Sequence, residues 1–418
     1  MRTWRSMVVP MVIGLVVLGG FGLRVIVAQS SAGQGGGSPS AKADGLPKDV
    51  YPDSRNRLPL VKREDLDEKR KKAYDDAVKM TNPIEGLQGK GGILLHSNTE
   101  DVRYGSPLGR ALTELAIIVG ARSSEQNFEW TLHVEEAIRV GLPMEVIDVV
   151  RYKRPTTGLG DKERAIIDVG REMTENHFVT PETFAHALKT LGATNLVDMV
   201  ATMAYRSNET GLIWSDQHLP LDWVEKAPMP VTIIKSPPDI FPDSRSRLHA
   251  MPQAELQRLR QQQEGTSRGG LAPRGMGPGL VGFHSADGKF LEQTFGKRLL
   301  ELAILVNARE LDQQVEWTLH ELEARKHGLE PEIIDIVRYR KPLTGLGEKE
   351  AAVIQAVREL IGKHKVSPET YAHTVKLFGE RDSLDLALLM EEHAINCGIL
   401  TVFNQQLPAG QKPLLPIS

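Results

Sequence analysis

The chain has 418 residues, a formal net charge of −3, and 40% apolar and 25% charged residues. That is long enough for two cores of ordinary size, too balanced in charge to imply a nucleic-acid or anionic-membrane partner, and too apolar for a disordered chain. The single cysteine, Cys397, excludes an intramolecular disulfide framework and any site that needs two thiols of one chain.

The N-terminus reads as a targeting segment. Arg2 and Arg5 precede an apolar run from Met7 to Leu23, broken by Pro10 and several glycines, and Ile26-Val27-Ala28 ends in a small residue suited to cleavage before Gln29. Residues 1–28 are therefore expected to be a signal peptide that exports the protein to the periplasm or the extracellular space. The alternative is an uncleaved membrane anchor, since the run is close to the length that spans a bilayer. No cysteine lies here to carry a lipid. Residues 29–49 are rich in Gly, Ser and Ala and read as a flexible tether.

Beyond residue 50 the chain repeats itself. Tyr51-Pro-Asp-Ser-Arg-Asn-Arg-Leu returns as Phe241-Pro-Asp-Ser-Arg-Ser-Arg-Leu. Glu114-Leu-Ala-Ile-Ile-Val-Gly-Ala-Arg122 returns as Glu301-Leu-Ala-Ile-Leu-Val-Asn-Ala-Arg309, a spacing of 187 (301 − 114), and Glu129-Trp-Thr-Leu-His133 returns unchanged at Glu316 to His320 with the same spacing. Val146 to Glu163 matches Ile333 to Glu350 at 12 of 18 positions, and Val179 to His186 returns as Val366 to His373. A constant spacing over so long a stretch predicts one fold written twice, over residues 50–226 and 240–418, with the proline-rich stretch 227–239 as connector.

Each copy reads as all-α. Ser106-Pro107 predicts an N-cap with proline at the first helical position, followed by a helix over Leu108 to Ala121. A second helix is expected from about Ser124 to Val140, stopped by Gly141. Pro143 opens a third that ends near Arg151, and Thr180-Pro181-Glu182 caps a later one, as Ser367-Pro368-Glu369 does in the second copy. No segment alternates with period two.

The candidate chemistry lies on the first two helices. Gln126, Glu129 and His133 fall at i, i+3 and i+7 along one helical face, repeated as Gln313, Glu316 and His320. Glu114 and Glu301 sit among apolar neighbours, where a carboxylate must pair, coordinate or stay protonated. If the two helices form a hairpin, carboxyl and imidazole converge into a pair suited to proton transfer. Two plainer readings stand beside this: a solvent face, with Ser123 and Gln126 as a capping box, or a structural lock in which Glu114 pairs with Arg122 or His133.

The order Glu-Leu-Ala-Ile, Ala-Arg, then Glu-Trp-x-x-His-x-x-x-Ala-x-x-x-Gly-Leu resembles the carboxymuconolactone decarboxylase family. Leu94-Leu95-His96-Ser97 and Gly282-Phe283-His284-Ser285 resemble that family's lead-in. The resemblance implies two tandem alkyl hydroperoxidase D-like helical domains. The redox branch of that family uses Glu, Cys-x-x-Cys and His, and its two cysteine positions fall on Gln126 and Glu129, or Gln313 and Glu316. Without thiols, peroxidase chemistry by that mechanism is excluded. The decarboxylase branch implies a cofactor-free lyase or lactone-processing enzyme acting on a small carboxylate or lactone. Glu114 or Glu129 would handle the proton beside His133, with Glu301, Glu316 and His320 as counterparts. Arg122 and Arg309, with His96 and His284, would be the substrate-binding groups. The alternative is a non-catalytic binding or structural member of the fold. Single-copy relatives imply either a trimer of fused pairs or a self-contained pseudo-dimer.

Other features carry less. His96, His133, His177 and His186 return as His284, His320, His364 and His373, yet no compact ligand set of known spacing appears, so no metal is expected. Arg151-Tyr-Lys-Arg154, its counterpart Arg338-Tyr-Arg-Lys341 and the Thr-Gly-Leu-Gly that follows read as a plain turn before a helix cap. Cys397 aligns with Thr210 and is expected to be a buried small residue.

Overall fold

The computed structural model describes residues 46–80, 83–97, 102–219, 221–230, 239–248, 254 and 288–417. Residues 1–28, expected to be an export segment, most of the expected tether and His284 lie outside the described residues. Those described are all-α: no strand is present among them, and one antiparallel bridge joins Phe241 to Ser246. No helix among them is long and apolar enough to cross a membrane.

In chain order the helices are α1 (Glu68–Val78), a short α2 (Val102–Gly105), α3 (Arg110–Ser123), α4 (Asn127–Arg139), α5 (Met144–Arg151), α6 (Asp161–Arg171), α7 (Pro181–Leu191), α8 (Ala193–Ser207), and the short α9 (Thr210–Trp214) and α10 (Leu221–Val224). Past the connector come α11 (Gly288–Glu310, kinked at Gly296), α12 (Gln314–Lys326), α13 (Pro331–Arg338), α14 (Glu348–Val357), α15 (Pro368–Phe378) and α16 (Glu380–Val402). The starts of α12 and α15 follow those of α4 and α7 by 187 residues (314 − 127 and 368 − 181), the sequence spacing. A π-helical turn closes both α6 and α14, at Glu172–Asn176 and Arg358–Gly362.

Local chemistry explains most boundaries. Thr180 and Ser367 accept from the backbone N–H groups of Thr183 and Thr370, each at 3.2 Å, ahead of proline at the first helical position. Gly141, at φ 89°, follows the end of α4. Two expectations are corrected. Ser106-Pro107 does not open α3, because Gly109 at φ 83° breaks the backbone between them, and Ser106 instead forms a turn with Gly109. Ser123 and Gln126 form no capping box, since Gln126 is itself the N-cap of α4 and accepts from Phe128 N–H at 2.7 Å.

Two apolar cores form, and each borrows from the other copy. Leu115, Ile118, Trp130, Ile166 and Val200 of the first copy are joined by Ile399, Leu400 and Phe403. Leu302, Leu305, Trp317, Ile354 and Met390 of the second are joined by Phe128, Leu212 and Trp214. The repeated Pro-Asp-Ser-Arg-x-Arg-Leu stretches lock this exchange. Buried Arg57 binds Asp49, reaches the Val402 carbonyl at 3.0 Å and lies over the Phe184 ring. Its counterpart Arg247 binds Asp239, reaches the Trp214 carbonyl at 3.3 Å and lies over Tyr371. Each guanidinium thus satisfies a carbonyl at the C-terminal end of a helix of the other copy, α16 for Arg57 and α9 for Arg247, where the helix dipole favours a cation.

Candidate functional site in two versions

In the first copy α3 and α4 fold back on one another through a tight turn, which brings Glu114 and His133 together. His133 Nδ1 lies 2.7 Å from Glu114 Oε2, and its Nε2 lies 3.1 Å from Glu129 Oε2. The imidazole is clasped by one carboxylate from each helix. Arginines then saturate both carboxylates. Arg103 Nε and Arg110 Nη2 each donate to Glu114 Oε1 at 2.7 Å, and Arg206 Nη1 of α8 donates to Glu129 Oε2 at 2.6 Å and to Glu209 Oε1 at 2.7 Å. Burial would raise both carboxyls, but His133 and Arg103 hold Glu114 down to about 2, and Arg206 with His133 does the same for Glu129. Burial and the neighbouring Glu129 push Glu209 well up, with Arg206 opposing them. The His133 side chain is only 3% exposed and Glu114 is fully covered. The face carrying Glu129 and His133 is therefore interior, and the solvent-face reading fails.

The second copy rebuilds the clasp with different surroundings. His320 Nδ1 lies 2.8 Å from Glu301 Oε2, and Nε2 lies 3.2 Å from Glu316 Oε2. The position of Arg206, 187 residues on, is His393 (206 + 187), whose Nδ1 lies 3.4 Å from the same Glu316 oxygen. The two imidazoles meet edge to face with centroids 5.1 Å apart. At the positions of Arg103 and Arg110 stand Phe290 and Lys297, and Lys297 lies 3.7 Å from Glu292. The His320 side chain is 18% exposed and that of His393 13%. Burial lowers His320, but Glu301 and Glu316 outweigh it and lift the imidazole to about 10. Glu316 is held well below the usual carboxylate range by His320 and His393 against the opposing effect of burial.

The remaining sequence candidates are not brought to these clusters by any described contact. Arg122 Nε donates to the Arg151 carbonyl at 2.9 Å and Nη1 reaches Glu125 at 3.3 Å; Arg309 donates to the Arg338 carbonyl at 2.8 Å and pairs with Asp312. Both arginines satisfy the end of the helix that follows the hairpin. Glu114 locks the hairpin through His133, Arg103 and Arg110, with no described bond to Arg122. His96 lies 3.0 Å from the Pro59 carbonyl. His177 and His364 face one small cavity between the copies, about 20 Å³, shared with Cys397, which is buried as expected.

Sequence reasoning missed His393. It is absent from the repeated histidines because its counterpart is arginine, and only alignment of the two copies at the 187-residue spacing exposes the exchange. Arg103, Arg110 and Arg206 were missed because none belongs to a repeated motif. No family model, curated protein or solved structure matches this chain.

Proposed function

We propose that the chain is a tandem pair of alkyl hydroperoxidase D-like units, similar to the carboxymuconolactone decarboxylase family, in which the second unit carries the working site and the first is its structural twin. The activity proposed is proton transfer on a small carboxylated lactone or β-keto acid. The observation that carries this reading is His320: both ring nitrogens are held by carboxylates, yet the side chain keeps a solvent-facing edge. Glu301 fixes the ring through Nδ1, so that Nε2, beside Glu316 and His393, is the nitrogen presented for chemistry. His133 has the same clasp without the opening, and Arg206 neutralises the carboxylate beside it. For the first unit the non-catalytic reading is therefore the better one. The basic, apolar and small-residue order of residues 1–28 supports export of the protein.

The test is turnover of a panel of carboxylated lactones and β-keto acids by the purified protein, with His320→Gln and His133→Gln compared at equal folded fraction. Loss in the first variant alone is the expected result. Turnover retained by His320→Gln would remove proton transfer at this site.

A further inference from the structure

Two carboxylates buried in one place require compensating charge, because an isolated buried anion is too costly to keep ionised. The first copy supplies it with guanidinium groups: Arg103 and Arg110 on Glu114, and Arg206 on Glu129. In the second copy the residues at those positions are Phe290, Lys297 and His393. The fixed cation beside Glu316 has been exchanged for a side chain whose nitrogen can donate a lone pair.

The groups that remain have the spacing of a metal site. One ligand atom from each of Glu316, His320 and His393 lies within 4.8 Å of the other two, and Glu316 Oε2 is 3.2 Å from His320 Nε2 and 3.4 Å from His393 Nδ1. A tetrahedron with metal–ligand bonds near 2.05 Å has edges of about 3.3 Å. Glu316 and His320 come from successive turns of α12 and His393 from α16, so two packed helices fix the triad. An ion at Nε2 would displace the proton held there, while Glu301 keeps accepting from Nδ1–H of His320, which orients the ring and makes it a better ligand. We propose that Glu316, His320 and His393 bind a divalent transition-metal ion of the zinc class, with Glu301 as the positioning carboxylate. Two carboxylates and one dication balance, with both imidazoles neutral. Both histidine side chains are partly exposed, so water or a substrate oxygen can supply the fourth ligand. The inference rests on the proposed function only for the place of the site, not for its chemistry.

The test uses the full chain purified without a histidine tag, stripped by a chelator and titrated with Zn²⁺ against a chromophoric competitor. About one equivalent per chain is expected. His393→Arg, which installs the first copy's residue, should fold at least as well as wild type and lose the ion. Glu301→Gln should bind about 10- to 100-fold more weakly. His373→Gln, a surface histidine beside Glu348, should bind as wild type. Absence of Zn²⁺ binding by wild type, or unchanged binding by folded His393→Arg, overturns the proposal. Proton transfer is read separately, as turnover of the chelated protein, so either idea can fail while the other stands.

Discussion

The two hairpins share Glu, Glu and His at corresponding positions and differ in what stands behind them. In α3–α4 the clasp around His133 is closed by arginine and is almost wholly interior. In α11–α12 the same clasp around His320 meets a histidine and keeps an exposed edge. Duplication therefore separates two requirements that a single unit would have to meet together. One copy can settle its buried charges permanently, while the other leaves them to be completed by a proton, a substrate or an ion.

The strongest way to break that comparison is to remove the residue that distinguishes the copies. Arg206→Ala strips the cation from Glu129 and Glu209, both buried, and should destabilise the protein by about 3–5 kcal/mol in denaturant unfolding. His393→Ala removes a longer, partly exposed contact to Glu316 and should cost about 1 kcal/mol. Equal losses would mean that His393 is as structural as Arg206.

The cavity between the copies sharpens the comparison, because its two histidines have not diverged. Burial and the adjacent His177 lower His364 to about 4, with Glu125 opposing and Lys153 assisting; burial likewise lowers His177. An unfolded histidine titrates near 6.5, so between these values the unfolded chain binds the proton that the folded one refuses. This contribution is complete above about pH 6.5 and is lost as pH falls toward 4, by up to about 3 kcal/mol. Thermal unfolding of wild type should fall over that window, and His364→Gln should flatten the decline. An unchanged slope in the variant would remove His364 as its cause.

Much of this was legible in the sequence. The 187-residue spacing of the helices, the caps at Thr180 and Ser367, and the meeting of Glu114 with His133 all follow from local pattern plus one assumption, that neighbouring helices form a hairpin. What could not be read depends on partners distant in the chain. Nothing in the periodicity of α16 says that Ile399 and Phe403 belong to the first copy's core, or that Arg57 will meet the Val402 carbonyl. Arg122 and Arg309 looked like carboxylate binders because their repetition cannot distinguish a ligand contact from a repeated helix end. His393 was hidden for the opposite reason, since a search for shared residues passes over the position where the copies differ.

A small effect expected equally in both copies is the control for the whole comparison. Thr180 and Ser367 occupy the same cap, and in both the residue's own N–H donates to a carboxylate at the start of the preceding π-helical turn, Glu172 (its first residue) at 2.7 Å and Glu359 (its second) at 2.9 Å. Truncating either hydroxyl leaves one helix N–H unsatisfied, so Thr180→Ala and Ser367→Ala should each cost about 1 kcal/mol. Equal losses would show that the copies remain equivalent where only the fold constrains them, which confines their divergence to the charge around the clasp. A loss several times larger in one copy would instead mean that the copies differ in stability throughout, and the contrast between Arg206 and His393 would then reflect the strength of each unit rather than the chemistry of its site.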